Sequence, residues 1–186
     1  MLTKHIKNPF LRNLAEWAIA ALAAFILFLF MRNFVFRIAD VDGHSMEPTL
    51  SHGDFVLLSR VGYWFGEPQT GDIIAFPFRE DPTKKYIKRI MGIPGDVVDF
   101  QDNRFTVNGE DLDFGFGQQD IISAGDIDLP LTIGEGEFFV LGDNRNSSMD
   151  SRYLSVGSIR EHDMLGRVVV RLWPPDRIER FGVISQ

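Results

Sequence analysis

A chain of 186 residues has room for one compact domain, or one with a small insert, but not for two large ones. With 45% apolar and 24% charged residues it can pack a core and is not disordered by composition. The net charge of -7 argues against a general nucleic-acid binder, and the absence of cysteine excludes disulfides, thiol nucleophiles and thiolate metal sites.

The charge is divided along the chain. Residues 1–37 carry Lys4, Lys7, Arg12, Arg32 and Arg37 against Glu16 alone, whereas the remainder is strongly acidic. Within this basic head, Trp17 to Met31 holds no charge, and extension to Leu14 and Phe36 gives 23 residues. As a helix that length reaches ~34 Å, enough to cross a hydrocarbon core of ~30 Å. Glu16 and Arg32 stand near its ends, and Trp17 and Phe34 suit the interface. The segment reads as a single membrane-spanning anchor. A cleaved signal peptide and a buried core helix are the alternatives. Three basic residues before the span against two after it place the N-terminus in the cytoplasm and the body outside.

The body, residues 38–186, reads as short β-rich runs between Gly, Pro, Asn and Asp signals. Strands are expected near Asp54–Ser59, Asp72–Pro77, Tyr86–Gly92, Val97–Gln101, Arg104–Val107, Glu137–Leu141 and Arg167–Trp173. Asn108-Gly109 signals a hairpin, Pro94-Gly95-Asp96 a sharp turn, and Ser158–Met164 a short helical turn. Residues 101–136, rich in Asp, Gly and Gln, read as a small insert or cap, or as a long surface loop. The fold class is mainly β: a closed or curled antiparallel domain with a small β/loop insert, preceded by one N-terminal transmembrane helix.

Three segments hold residues suited to chemistry. In Asp42-Gly43-His44-Ser45-Met46-Glu47-Pro48-Thr49-Leu50, Gly43 permits unusual backbone angles and Pro48 fixes the exit, so Ser45 sits on a constrained turn. A nucleophile needs that rigidity, although serine is also an ordinary turn residue. In Tyr86-Ile87-Lys88-Arg89-Ile90, strand alternation puts Lys88 between Tyr86 and Ile90 on one face. Burial there would lower its pKa and make it a usable base; otherwise Lys88 or Arg89 snorkels to solvent. In Gly142 to Tyr153, Asp143/Arg145 and Asp150/Arg152 alternate in sign and can brace a polar loop, or form surface ion pairs of little energy. The four histidines lack metal-site spacing.

Together these segments resemble the type I signal peptidases of bacteria, membrane-bound serine proteases that release exported proteins from their signal peptides. The resemblance rests on an ordered set: the anchor, Ser45 to Leu50, Gly71-Asp72-Ile73-Ile74, Lys88-Arg89 with Pro94-Gly95-Asp96, then Gly142-Asp143-Asn144-Arg145 through Ser151-Arg152. It implies Ser45 as nucleophile and Lys88 as general base, with no cofactor and no metal. It implies Ser148 as the serine that orients the lysine, and Asp143, Arg145, Asp150 and Arg152 as supports. Where some members carry a serine two before the nucleophile, this chain has Gly43, so the backbone N–H groups of Gly43 and Ser45 become the candidate oxyanion donors. Asn146-Ser147 stands where the family often has Asp-Asn.

The implied substrates are signal peptides with small residues at the first and third positions before the cut. Val41, Met46, Leu50, Tyr86 and Ile87 are candidate walls of the shallow pockets such residues need. Exported preproteins, the lipid bilayer and proximity to the secretion translocon are the implied partners, at the outer face of the cell membrane; nucleic acid is not. Self-cleaving repressors share a Ser–Lys dyad but carry a DNA-binding domain rather than an anchor. A membrane-tethered β-domain that only binds peptides is the non-enzymatic alternative.

Overall fold

The computed structural model describes residues 8–30, 36–60, 63, 66–111 and 121–182. The chain divides into two compact units, Met1–Arg37 and Ile38–Gln186. The first holds the helix α1, Pro9–Phe30. Its start lies upstream of the apolar run because the capping chemistry is there. Asn8 Oδ1 accepts from Phe10 N–H at 3.0 Å, and Pro9 occupies the first helical position, where its missing N–H costs nothing. From Pro9 to Leu29 the helix has a mean hydropathy of 1.6 and exposed side chains, and is long and apolar enough to cross a membrane. Arg32, Asn33 and Phe34 lie outside the described residues.

Beyond the helix the strands form two antiparallel sheets. The strands are β1 Phe36–Asp40, β2 Phe55–Ser59, β3 Ile73–Pro77, β4 Lys85–Gly92, β5 Val97–Gln101, β6 Arg104–Val107, β7 Glu110–Asp111, β8 Leu131–Thr132, β9 Glu137–Leu141, β10 Ile159–Arg160, β11 Gly166–Trp173 and β12 Glu179–Arg180. The main sheet runs β1-β2-β11-β3-β4-β9-β10, and β12 adds to the free part of β11. The sheet is open rather than closed into a barrel, since the path runs from β1 to β10 and does not return. The second sheet, β7-β6-β5-β8, takes in β5 as well as part of segment 101–136, of which residues 112–120 lie outside the described residues.

The main strands read as unbroken apolar runs because both of their faces are covered. On β3, Ile73 and Ala75 enter one core while Ile74 and Phe76 enter another. On β9, Phe138 and Val140 face that second core, and Phe139 and Leu141 face a third, shared with Val98 and Phe105 of the small sheet. Turn chemistry fixes the small sheet. Asp102 and Asn103 between β5 and β6, and Asn108 and Gly109 between β6 and β7, all have positive φ, as two-residue hairpin turns require. Gly95, at φ 88°, makes the turn between β4 and β5. The helical turn near Ser158–Met164 is a 3-10 turn at Glu161–Asp163 that follows β10.

Candidate active site

The Ser45 loop joins β1 to β2. Its base is zipped by Val41 N–H donating to the Asp54 carbonyl at 2.8 Å and Gly53 N–H to the Val41 carbonyl at 2.9 Å. Leu50 N–H closes a turn onto the Met46 carbonyl at 2.9 Å, with both side chains buried, and this anchors the turn that presents Ser45. Gly43 holds φ 106°, a conformation that disfavours a side chain.

Lys88 lies in the middle of β4, flanked by β3 and β9. Neither it nor Arg89 reaches solvent: they are 3% and 5% exposed. Lys88 Nζ donates to Ser45 Oγ at 2.7 Å and to the Ile87 carbonyl at 3.0 Å, and lies 5.0 Å from the centre of the Tyr86 ring. Burial drives its pKa from 10.5 down to about 8, against the opposing pull of Asp150 and Asp143. The neutral amine is therefore accessible at mildly alkaline pH, with its nitrogen against the hydroxyl.

The other side chain of the pair has a different task. Arg89 grips Asp143 through Nε at 2.8 Å and Nη2 at 2.7 Å, and donates through Nη1 to the Gly71 carbonyl at 2.9 Å. Asp150 and Arg152 form a second buried pair at 2.7 Å. Arg152 also donates to the Arg145 and Ser148 carbonyls, while Asp150 accepts from Gly142 N–H. The loop from Gly142 to Arg152 is thus braced from within. Arg145 is half-buried, with Nη2 3.6 Å from Met91 Sδ, and burial lowers its pKa.

One side chain and one backbone group differ from their expected roles. Ser148 Oγ is buried and has no hydrogen-bond partner among the described residues, so no bond from it to Lys88 is present. It packs instead where Gly142 leaves space: a Cβ at Gly142 would collide with Ser148 Oγ and the Ser45 carbonyl. Gly43 N–H, one candidate oxyanion donor, donates to His52 Nδ1 at 3.3 Å. The Ser45 N–H makes no hydrogen bond among the described residues.

A cleft of about 210 Å³ opens beside the Ser45–Lys88 contact, lined by Val41, Gly43, Met46, Tyr86, Ile87 and Met149 among others. Leu50 does not line it. It is fully buried in the core below, because the turn that exposes Ser45 directs Leu50 inward. Asn144, of the Gly142–Arg145 motif, also holds the nucleophile loop. Its N–H donates to the Ser45 carbonyl at 3.0 Å and its Nδ2 to the His44 carbonyl at 3.1 Å. Among the described residues no group of His, Asp and Glu is placed to hold a metal ion.

Residues 14–173 match the model of the family "Signal peptidase, peptidase S26". The chain is 32% identical over 173 residues to signal peptidase I P of Bacillus subtilis subsp. natto, covering 89% of this chain and 92% of that protein. It is 32% identical over 178 residues to signal peptidase IB of Staphylococcus aureus, covering 88% and 91%. A crystal structure of a signal peptidase I from Enterococcus faecalis is 30% identical, with 56% of this chain and 98% of that one covered and a TM-score of 0.47. By the family match and the identities to the Bacillus and Staphylococcus proteins the chain belongs to the signal peptidase family, peptidase S26, and is a serine peptidase, a hydrolase of that family.

Proposed function

We propose that this protein is a membrane-anchored endopeptidase that removes signal peptides from exported preproteins through a Ser45/Lys88 dyad. The observation that carries the reading is the 2.7 Å contact between Ser45 Oγ and a buried lysine whose pKa is lowered to about 8. No histidine or third acid stands in this contact. Neutral Lys88 takes the hydroxyl proton, and Ser45 Oγ adds to the scissile carbonyl. The tetrahedral intermediate collapses as the Lys88 ammonium protonates the leaving amine. Lys88 then activates the water that hydrolyses the Ser45 ester, and the signal peptide leaves with a free carboxylate.

The Ser45 N–H is the first oxyanion donor in this scheme. Gly43 N–H joins it only by exchanging its His52 partner. Val41, Met46, Tyr86 and Ile87 supply apolar walls to a small cleft, which supports a preference for small residues of the Ala-x-Ala type. Arg89–Asp143 and Asp150–Arg152 hold the strand and loop on either side of the lysine. The helix α1 serves as a single-pass anchor with a cytoplasmic N-terminus, so the body works at the outer face near the translocon. The anchor confines enzyme and substrate to one plane, which raises their effective concentration.

The test is cleavage of a purified preprotein with an Ala-x-Ala site by detergent-solubilised protein, beside Ser45→Ala. A single new N-terminus after the last alanine, absent with the variant, is the expected result. Folded wild-type protein that leaves the preprotein intact in the presence of lipid would favour a tethered binding domain.

A further inference from the structure

The reverse side of the nucleophile loop supports one more inference, which rests on the Ser45/Lys88 reading. The turn that carries Ser45 is closed by the Leu50-to-Met46 hydrogen bond. Asn144 pins its front by holding the His44 and Ser45 carbonyls. Its back is held by Arg171 of β11, whose side chain is 7% exposed. Arg171 Nη1 donates to the Thr49 carbonyl at 2.7 Å. The other two guanidinium nitrogens are spent on aiming it: Nε donates to the Arg177 carbonyl at 2.5 Å, and Nη2 to Glu179 Oε2 at 2.6 Å.

Glu179 lies directly opposite Arg171 in the β11–β12 register. Arg177 in turn donates through Nη1 to Ser51 Oγ at 3.1 Å, and lies 3.6 Å from Asp54 Oδ1. Arg89 adds a longer contact to Thr49 Oγ1 at 3.4 Å. A cavity of about 410 Å³, bordered by Pro48, Thr49, Arg171 and Glu179, lies behind the turn. On that side the Arg171 guanidinium carbon lies 5.9 Å from the centre of the Phe181 ring. Its Nη1 also lies 3.5 Å from Asp54 Oδ2, and a fork with three nitrogens directed at these four fixed acceptors sets an orientation as well as an energy.

We infer that Arg171 is a positioning residue for the reaction: held by Glu179 and Arg177, it fixes the far end of the turn that carries Ser45. It touches neither substrate nor the reacting atoms, and acts through Thr49. Arg177 and Glu179 lie beyond the matched region, residues 14–173.

The experiment compares full-length wild type, Arg171→Met, Arg171→Lys and Glu179→Gln on one preprotein. It reads kcat and KM separately, Ser45 acylation by a fluorophosphonate probe, and thermal unfolding. Misplacement of reacting atoms by about 1 Å can cost on the order of 100-fold. Arg171→Met is therefore expected to lower kcat and the acylation rate by about 10- to 100-fold, with KM within about 2-fold, at temperatures where it is fully folded. Arg171→Lys should recover part of the loss, and Glu179→Gln should lose about 2- to 5-fold. Wild-type kcat in folded Arg171→Met would overturn the inference. Should Arg171→Met not fold, Glu179→Gln decides: unchanged kcat and acylation would overturn it. Failure of the wild type to cleave would instead refute the peptidase reading on which the inference rests.

Discussion

Replacing Lys88 by methionine is expected to raise stability while it removes activity. Lys88 is 3% exposed, and burial lowers its pKa from 10.5 to about 8. In the unfolded chain the amine binds its proton up to its ordinary pKa, whereas in the folded protein it releases it near 8. Between these values the unfolded state holds more protons, so this group makes stability rise with pH across that window. Below pH ~8 the full cost is present, on the order of 3 kcal/mol at ~1.4 kcal/mol for each tenfold change in proton affinity. Methionine keeps the length and removes that cost. It also removes the hydrogen bonds to Ser45 Oγ and the Ile87 carbonyl, worth about 0.5–1.5 kcal/mol each. Lys88→Met should therefore gain up to about 2 kcal/mol over wild type at pH 7, and lose on the order of 3 kcal/mol relative to it as pH rises to ~10.5. Chemical denaturation of detergent-solubilised protein at a series of pH values measures the difference, and titrations shared by both proteins cancel. A variant clearly less stable than wild type at pH 7, or a difference that does not change with pH, would refute the reasoning.

The same proton governs catalysis with the sign required of a base: kcat/KM should rise about tenfold per pH unit below about 8 and level off above it. A peptide-cleavage assay from pH 6 to 10 checks this; an optimum near pH 5 would point to carboxylate chemistry. Asp143→Ala removes the carboxylate that the buried Arg89 guanidinium grips, and should destabilise the protein by about 3–5 kcal/mol in denaturant titrations. Gly142→Ala places a methyl group against Ser148 Oγ and the Ser45 carbonyl, so the nucleophile must move. That variant should fold and lose about 100-fold in kcat, as steady-state kinetics would show.

Local signals located most of the main strands. The runs Ile73–Phe76 and Phe138–Leu141 are apolar on both faces, and only strands covered on both sides look like that. Gly43 and Pro48 marked the Ser45 turn, and the Asn108-Gly109 pair marked a hairpin, because backbone angle and residue type are tied there. The two-residue strands β7, β8, β10 and β12 left no pattern, being too short for alternation to register. β1 was hidden by its place at the end of the apolar head. From the residues alone Lys88 was legible as one of two neighbouring cations, and only the family resemblance singled it out. Which cation faces Ser45 and which grips Asp143 follows from strand register, a tertiary fact. Arg171 gave no signal at all, since its partners Thr49, Arg177 and Glu179 come together only through the pairing of β11 with β2 and β12.

The most direct test of the account is the pH dependence of Ser45 acylation by a small serine-directed electrophile, read by peptide mass mapping in wild type and Lys88→Ala. The account predicts a single labelled residue, Ser45, a rate that rises with pH to a plateau through about 8, and no measurable labelling in the variant. Labelling at another serine, or at Ser45 with equal rate in both proteins, would contradict it.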